Sequence, residues 1–286
     1  MKRTAVSLPL LLVCAAATWS LHRRLDGIEQ ERERQVQWAA PPNLAVLKFG
    51  AIGYKHLVAD MMWLAAIQYF GDSENVQDGH YKNLIPMLER VVGLDPKFEY
   101  MYRFGGVSGL GPNGENLEAV NRLLKSGETA CPDSWRIPFL RGANCLQFDG
   151  GAECMADAFS KAAALPGAPD WVMLLASRAM AGAQRTAEAY DMISRAYDET
   201  KNAKLRGQLE ARLGLLRVRL ALEPLDAAVQ RYRARAADPK ACPDTIEGLL
   251  DEELKRLPRL EGATFRLAEG CRPEVPGQVE GLEFYR

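Results

Sequence analysis

Histidine is scarce in this chain, strong net charge is absent, and no catalytic sequence motif occurs. Only three histidines are present, and none lies in an HExxH, Cys-His zinc or CxxCH haem spacing, so the sequence predicts neither a metal site nor a cofactor. Thirty-six basic and 37 acidic residues leave a formal charge of −1. No overall field therefore favours nucleic acid, and we predict no nucleic-acid partner.

Motifs of enzymes are also missing. No GxSxG elbow occurs, and no Ser or Cys nucleophile is tied to a histidine base by a local pattern. The glycine cluster at 105–111 lacks the GxGxxG fingerprint, a following GK[ST] and a preceding strand. We attribute this cluster to close approach of helices rather than to phosphate binding, and we predict that the chain is not an enzyme.

A long uncharged, largely apolar run occurs once, at residues 4–21, with basic residues at 2–3 and 22–24. At ~1.5 Å per residue a helix over this run is roughly 27 Å long, enough to cross a bilayer core. We predict that residues 1–21 form a signal-anchor or transmembrane segment that holds the chain in a bacterial inner membrane, with its body in the periplasm. The alternative is export followed by signal-peptide cleavage near Ala15–Ala17. Residues 22–43 mix charges of both signs, which predicts a solvated juxtamembrane stalk.

Aromatic landmarks recur through the middle of the chain. Trp63, Tyr102, Trp135 and Trp171 are 39, 33 and 36 residues apart. Between them, apolar residues follow the helical spacing of i, i+3, i+4 and i+7, and Gly-rich breaks separate the stripes. We predict an all-α fold of helical hairpins over 44–222. The stripes lie at 84–92, 117–124 and 155–163, with further helix pairs at 170–197 and 201–222.

The segment Leu94–Tyr102 resembles the closing and restarting turn of tetratricopeptide units, which carry Trp or Tyr near the start of their first helix. More narrowly, Gly53–Trp63 and Leu165–Pro169 resemble repeat-containing, anchored envelope proteins of bacteria. The resemblance covers residues 44–222 and implies a tetratricopeptide-like (TPR-like) solenoid, in which stacked hairpins bury faces that no single hairpin covers.

The sequence pattern changes after residue 222. A basic helical stretch is followed by Pro-punctuated short pieces that include Thr264–Leu267. We predict that residues 223–286 form a small α+β cap. Its order is similar to the C-terminal part of type II secretion pseudopilins, although a solenoid needs a polar cap in any case.

Five of the six cysteines follow the apolar run, so at least one of the five stays unpaired within the chain. Cys145 and Cys154 flank a Gly-Gly turn, and Cys242 and Cys271 bracket the cap. These two pairs are the predicted disulfides. The alternative is that all are reduced, buried thiols.

The tetratricopeptide resemblance also implies a binding surface, because positions two, five and nine of each first helix project onto the concave face. Tyr102 and Trp135 are taken as position four of successive units. The residues at positions two and five are then the candidate partner-binding residues: Tyr100, Arg103, Asp133 and Arg136.

Arg103 and Arg136 occupy the same position of neighbouring helices in this register, about 8 to 10 Å apart at normal helix packing. Two guanidinium groups at that spacing are suited to grip a carboxylate, and an arginine also stacks on an aromatic ring such as Tyr100. The alternative is that both arginines form surface ion pairs with neighbouring acids, Glu99 and Asp133.

The predicted function is a protein–protein interaction scaffold at the bacterial cell envelope. Its partner is an envelope protein or peptide, such as a component of a secretion or pilus assembly machine. Two alternatives stay open. One is an accessory enzyme with a partly buried site around Asp60, which lies four residues after His56. The other is a purely structural tether that acts through the stalk.

Overall fold

The computed structural model describes residues 16–25, 41–72, 81–236, 238–260 and 263–276. Most of these residues are helical. The first helix, α1, is described over residues 16–25. The other ten helices of the described ranges are α2 (Leu44–Gly50), α3 (Lys55–Gly71), α4 (Leu84–Leu94), α5 (Glu99–Ser108), α6 (Leu117–Ala130), α7 (Arg136–Gln147), α8 (Ala152–Ala163), α9 (Asp170–Gly182), α10 (Thr186–Glu199) and α11 (Ala203–Ala236).

The predicted signal-anchor lies mostly outside the described residues, because only its last part, from residue 16, falls within α1. In the described ranges, no helix combines the length and the apolar character that crossing a bilayer requires. Of the predicted stalk, residues 26–40 are outside the described ranges as well.

The apolar stripes coincide with helices, as predicted. Spacing at i, i+3, i+4 and i+7 places their side chains on one side of a 3.6-residue helix, where they pack into the core. The buried residues of the three stripes include Leu84, Ile85, Leu88, Val91 and Val92 in α4, Val120, Leu123 and Leu124 in α6, and Phe159 and Ala162 in α8. The helix pair predicted at 170–197 is confirmed as α9 and α10.

The helices pack in chain order. From α3 to α11 each helix contacts the next one, and contacts also join helices two apart, namely α4 with α6, α5 with α7, and α9 with α11. One core extends from α3 to α7 and a second joins α8 through the first half of α11.

Close helix approach explains the glycine cluster, as predicted. A Cβ added to Gly105 of α5 would lie 2.5 Å from a methyl carbon of Leu123 in α6. Gly127 of α6 in turn leaves room for a side chain of α5, because a Cβ there would lie 2.6 Å from the ring of Tyr102. These positions admit no side chain without displacing a packed neighbour.

An ionic cluster joins α6, α7 and α8, with Glu128 and Arg141 buried and Asp157 and Lys161 at the surface. The Arg141 guanidinium donates to Glu128 Oε1 at 2.6 Å and to Asp157 Oδ2 at 2.7 Å, and Lys161 Nζ donates to Glu128 Oε2 at 2.8 Å. The side chains of Arg141 and Glu128 are 3% and 5% exposed. Burial of both charges is compensated by this pairing, so the cluster fixes how three helices meet.

The helix pair predicted at 201–222 is wrong, because α11 is one uninterrupted helix of 34 residues that continues to Ala236. Pro224 lies inside it and removes one backbone hydrogen bond without ending the helix. Leu209 and Leu216 belong to the core shared with α9 and α10, whereas Leu225 and Val229 belong to the core of the cap. The predicted domain boundary at 222/223 therefore falls within a helix.

The small α+β cap is confirmed in its coarse form. A 3₁₀ turn at Ile246–Leu249 is followed by two antiparallel strands, β1 (Arg266–Ala268) and β2 (Arg272–Glu274), in which Arg266 pairs with Glu274. Their side chains form an ion pair of 2.6 Å between Nε and Oε1.

An ion pair also ties the cap to α11. Arg231 Nε donates to Asp251 Oδ2 at 2.9 Å, and Asp251 Oδ1 accepts the backbone N–H of Leu254 at 2.7 Å. The Arg231 guanidinium, helped by that N–H, holds the pKa of Asp251 well below its usual range.

Cysteines are paired as the spacing predicts. The Cα atoms of Cys145 and Cys154 are 6.1 Å apart and those of Cys242 and Cys271 are 5.4 Å apart, and both pairs are at disulfide-bonding distance. Cys131 is the unpaired cysteine of the described residues, whereas Cys14 lies outside them.

We expect the Cys242–Cys271 bond to stabilise the cap by roughly 3 to 4 kcal/mol, because it closes a loop of 29 residues in the unfolded chain. Replacing both cysteines by Ala should lower the free energy of cap unfolding by that amount, measured by native-state hydrogen exchange. The Cys131→Ala variant, which removes an unpaired thiol, is the control. Peptide mapping that finds Cys242 and Cys271 as free thiols in natively produced protein would contradict this expectation.

Candidate functional site

An aromatic ladder in two parts, one across α3 and α5 and the other across α7 and α9, follows the odd-numbered helices. Tyr100 contacts Phe104 within α5, and Trp135, the N-cap of α7, contacts Phe139 four residues later. Between helices, ring centroids approach to 5.0 Å for Trp63 and Phe104 and to 5.2 Å for Phe139 and Trp171. The ladder consists of Trp63, Phe70, Tyr100, Phe104, Trp135, Phe139 and Trp171.

A groove of about 430 Å³ opens on this ladder between α5 and α7. Its lining is mainly aromatic and aliphatic, with two guanidinium groups added. The lining residues are Tyr100, Arg103, Phe104, Val107, Ser108, Trp135, Arg136, Phe139 and Leu140. Apolar walls with a few polar groups are the usual composition of sites that bind a ligand or a peptide side chain.

The two arginines of this groove have no acidic partner among the described residues. Neither guanidinium has a carboxylate within 4.0 Å in the part of the chain that the structure describes. Arg136 instead lies over the Trp135 ring, 4.9 Å from its centroid. Glu99, one expected partner, accepts the Ser134 hydroxyl at 2.7 Å. The alternative of surface ion pairs with Glu99 or Asp133 is therefore wrong for this structure.

Of the four predicted partner-binding residues, Tyr100, Arg103 and Arg136 line this one groove. Asp133 does not. It is exposed in an adjacent hollow that also contains Cys131 and Arg136. Asp133 lies in the turn before α7, so the helical positions assumed for it do not apply.

Burial raises the pKa of the Cys131 thiol in this hollow above its ordinary value. The thiolate, which is the reactive form, is accordingly disfavoured. The hollow therefore has no activated nucleophile at Cys131.

Tyr102 and Trp135 are not equivalent, which corrects the repeat register. Tyr102 is 2% exposed, its hydroxyl donates to Pro96 O at 3.1 Å, and burial raises its pKa to about 12. Trp135 lies in the groove instead. Tyr100 is the residue of α5 that matches Trp135, because each begins a ring pair with a phenylalanine four residues later.

Those two phenylalanines, Phe104 and Phe139, were missed by the sequence reasoning. The signal that finds them is an aromatic pair at i and i+4, which lies on one side of a helix. Single aromatic residues at the repeat spacing do not show which rings lie in the core and which lie in the groove.

Asp60 is exposed on α3 rather than partly buried. His56 does not pair with it either, since His56 Nδ1 lies 3.0 Å from Asp95 Oδ2. Within the described ranges, no group of three or more His, Cys, Asp or Glu residues is arranged to hold a metal ion.

Comparison with models of protein families, with curated proteins and with solved structures finds no match to this chain.

Proposed function

We propose that this protein is an interaction scaffold of the bacterial cell envelope, whose groove between α5 and α7 binds a segment of a partner protein. The observation that carries the proposal is the pair of arginines without acidic partners in an aromatic-walled groove. A guanidinium left unpaired beside apolar surface is suited to a carboxylate that comes from another molecule.

The chemistry of the groove defines the ligand class. Aromatic or aliphatic side chains of a peptide fill the space between Tyr100, Phe104 and Phe139, and an adjacent carboxylate bonds to Arg103 and Arg136. An acidic peptide with an apolar residue next to its charge meets both requirements.

Chain-order packing supports a TPR-like solenoid as the scaffold. Contacts between helices two apart, such as α5 with α7, are those that stacked hairpins make. In this arrangement the aromatic ladder and the groove lie on successive first helices, which is where tetratricopeptide proteins bind peptides.

An envelope location is supported by two features. The apolar run at 4–21 is long enough to anchor the body to an inner membrane. Two cysteine pairs at bonding distance fit an oxidising compartment such as the periplasm.

Photo-crosslinking in bacterial cells tests the proposed function. Replacing Val107, which is 66% exposed in the groove, with p-benzoylphenylalanine should give a covalent adduct with one partner polypeptide. The adduct should disappear when Arg103 and Arg136 are also replaced by Ala. The matched control position is Leu146, which is 58% exposed outside the groove lining.

Equal adducts at the two positions, or none at position 107, would show that the groove does not bind a partner. If the protein is a purely structural tether, we expect no adduct at position 107.

A further inference from the structure

A second exposed surface lies far along the chain from the groove residues, on α2, α3 and the turn between them. Its side chains are apolar and between 58% and 89% exposed. We call it the α2–α3 apolar face, and it is formed by Phe49, Ile52, Tyr54, Leu57, Met61 and Leu64.

Helix α3 is predominantly apolar, and its exposed side carries Asp60 and Gln68 among larger apolar residues. It packs against the core through Ala59, Ala66 and Tyr69. Leu57, Met61 and Leu64, at positions i, i+4 and i+7, lie on an exposed side of the helix. A water-facing side of a helix normally carries mostly polar residues, so the predominance of exposed apolar ones here indicates an apolar neighbour.

The turn between α2 and α3 projects from the protein surface. Phe49, Ile52 and Tyr54 are 89%, 82% and 72% exposed, values that side chains reach only when little protein surrounds them. Ile52 also has a φ of +42°, a left-handed conformation that a β-branched residue rarely adopts. The strain presents an apolar side chain to the outside, which points to a role beyond folding.

Charge around the face is sparse and mainly positive. From residue 41 to residue 67 the charged residues are Lys48, Lys55 and the single acid Asp60. Projecting apolar and aromatic side chains with lysines beside them match the boundary between acyl chains and anionic headgroups.

In the proposed anchoring, the apolar run at 4–21 tethers this face to a bilayer. The intervening stalk at 22–43, even fully extended, spans at most about 75 Å. We propose that the α2–α3 apolar face rests in the interfacial layer of the phospholipid bilayer that holds residues 4–21, with Phe49 and Ile52 inserted and Lys48 and Lys55 near lipid phosphates. This inference rests on the proposed membrane anchor.

Crosslinking to lipid tests the inference with the full-length chain in vesicles of phosphatidylethanolamine and phosphatidylglycerol. Leu57 is replaced by p-benzoylphenylalanine, and a second sample carries the same change at Leu146, a helical leucine with the same 58% exposure. After irradiation, mass spectrometry should find a phospholipid adduct at least about ten times more abundant at position 57. Both positions are exposed, so neither substitution disturbs the core.

A chain–chain adduct at position 57, an adduct with another protein, or equal lipid adducts at both positions would overturn the inference. Vesicle flotation separates this failure from failure of the anchor. If the chain floats with vesicles but position 57 gives no lipid adduct, the anchor stands and the interfacial contact does not. If the chain does not float, both the anchor and the contact are overturned.

Discussion

Replacing Arg103 and Arg136 together by Ala is expected to weaken peptide binding by at least about a hundredfold while leaving thermal stability nearly unchanged. Hydrogen bonds to a charged group contribute roughly 1.5 to 3 kcal/mol each, and every 1.4 kcal/mol is about a factor of ten in affinity. Neither guanidinium has an acidic partner in the structure, so the fold loses no ion pair when the two are removed.

Fluorescence anisotropy measures this effect with labelled peptides in which an aromatic residue precedes a free C-terminal carboxylate. The same peptides with an amidated C-terminus are the matched ligand. Amidation should lower affinity for the natural chain and have little further effect on the double variant, because both changes remove the same interaction.

The matched protein control removes two arginines elsewhere, Arg122 of α6 and Arg195 of α10, which lie outside the groove lining. It changes net charge equally, so loss of affinity in this control would indicate a nonspecific electrostatic effect. Natural affinity in a folded Arg103→Ala, Arg136→Ala variant would refute the carboxylate grip.

Replacing Arg141 by Met is expected to lower the free energy of unfolding by about 3 to 5 kcal/mol. Methionine fills much of the space of the arginine stem but leaves the Glu128 carboxylate, which is 5% exposed, without its closest partner. Breaking a buried pair on one side is more costly than removing the pair, because the buried Glu128 carboxylate then keeps only the half-exposed Lys161 as a cationic partner. Urea denaturation of the full-length chain, followed by circular dichroism, measures the loss.

A double variant tests this reason. When Glu128→Leu is added to Arg141→Met, much of the lost stability should return, because the interior then no longer holds a carboxylate that has lost its buried arginine. Arg122→Ala is the surface control, since its pair with Glu118 is 60% and 91% exposed and contributes at most about 0.5 kcal/mol. A loss below about 1 kcal/mol in Arg141→Met would contradict the structural role of the cluster.

Local apolar spacing was enough to predict the helices of the middle of the chain. Leu84, Leu88 and Val91 are one turn apart, so any helix over them has an apolar side, and the structure buries that side. The same rule failed at α11. Leucines at helical spacing through 205–220 fit one helix as well as two, and packing in two successive cores keeps α11 continuous. Pro224, beyond the predicted pair, removes one backbone hydrogen bond and crowds the carbonyl four residues earlier, yet the helix continues past it.

The candidate site was predictable in part. Arg103 and Arg136 were predicted from a repeat register. That register was wrong, but the two arginines nevertheless line one groove. Tyr102 and Trp135 have the same chemical character in the sequence, and only tertiary packing makes one a core ring and the other a groove ring. In α3 likewise, apolar residues occur on every side, so the sequence does not indicate which side is covered.

The continuity of α11 has a mechanical consequence. Its 34 residues form a rod about 50 Å long, embedded at one end among α9 and α10 and at the other end in the cap. A load applied to the cap is transmitted along this rod to the α9–α10 hairpin instead of being absorbed by a flexible linker. Pro224 lies inside the part embedded in the cap, between Leu222 and Leu225, so cap residues brace the point at which the helix lacks a backbone hydrogen bond.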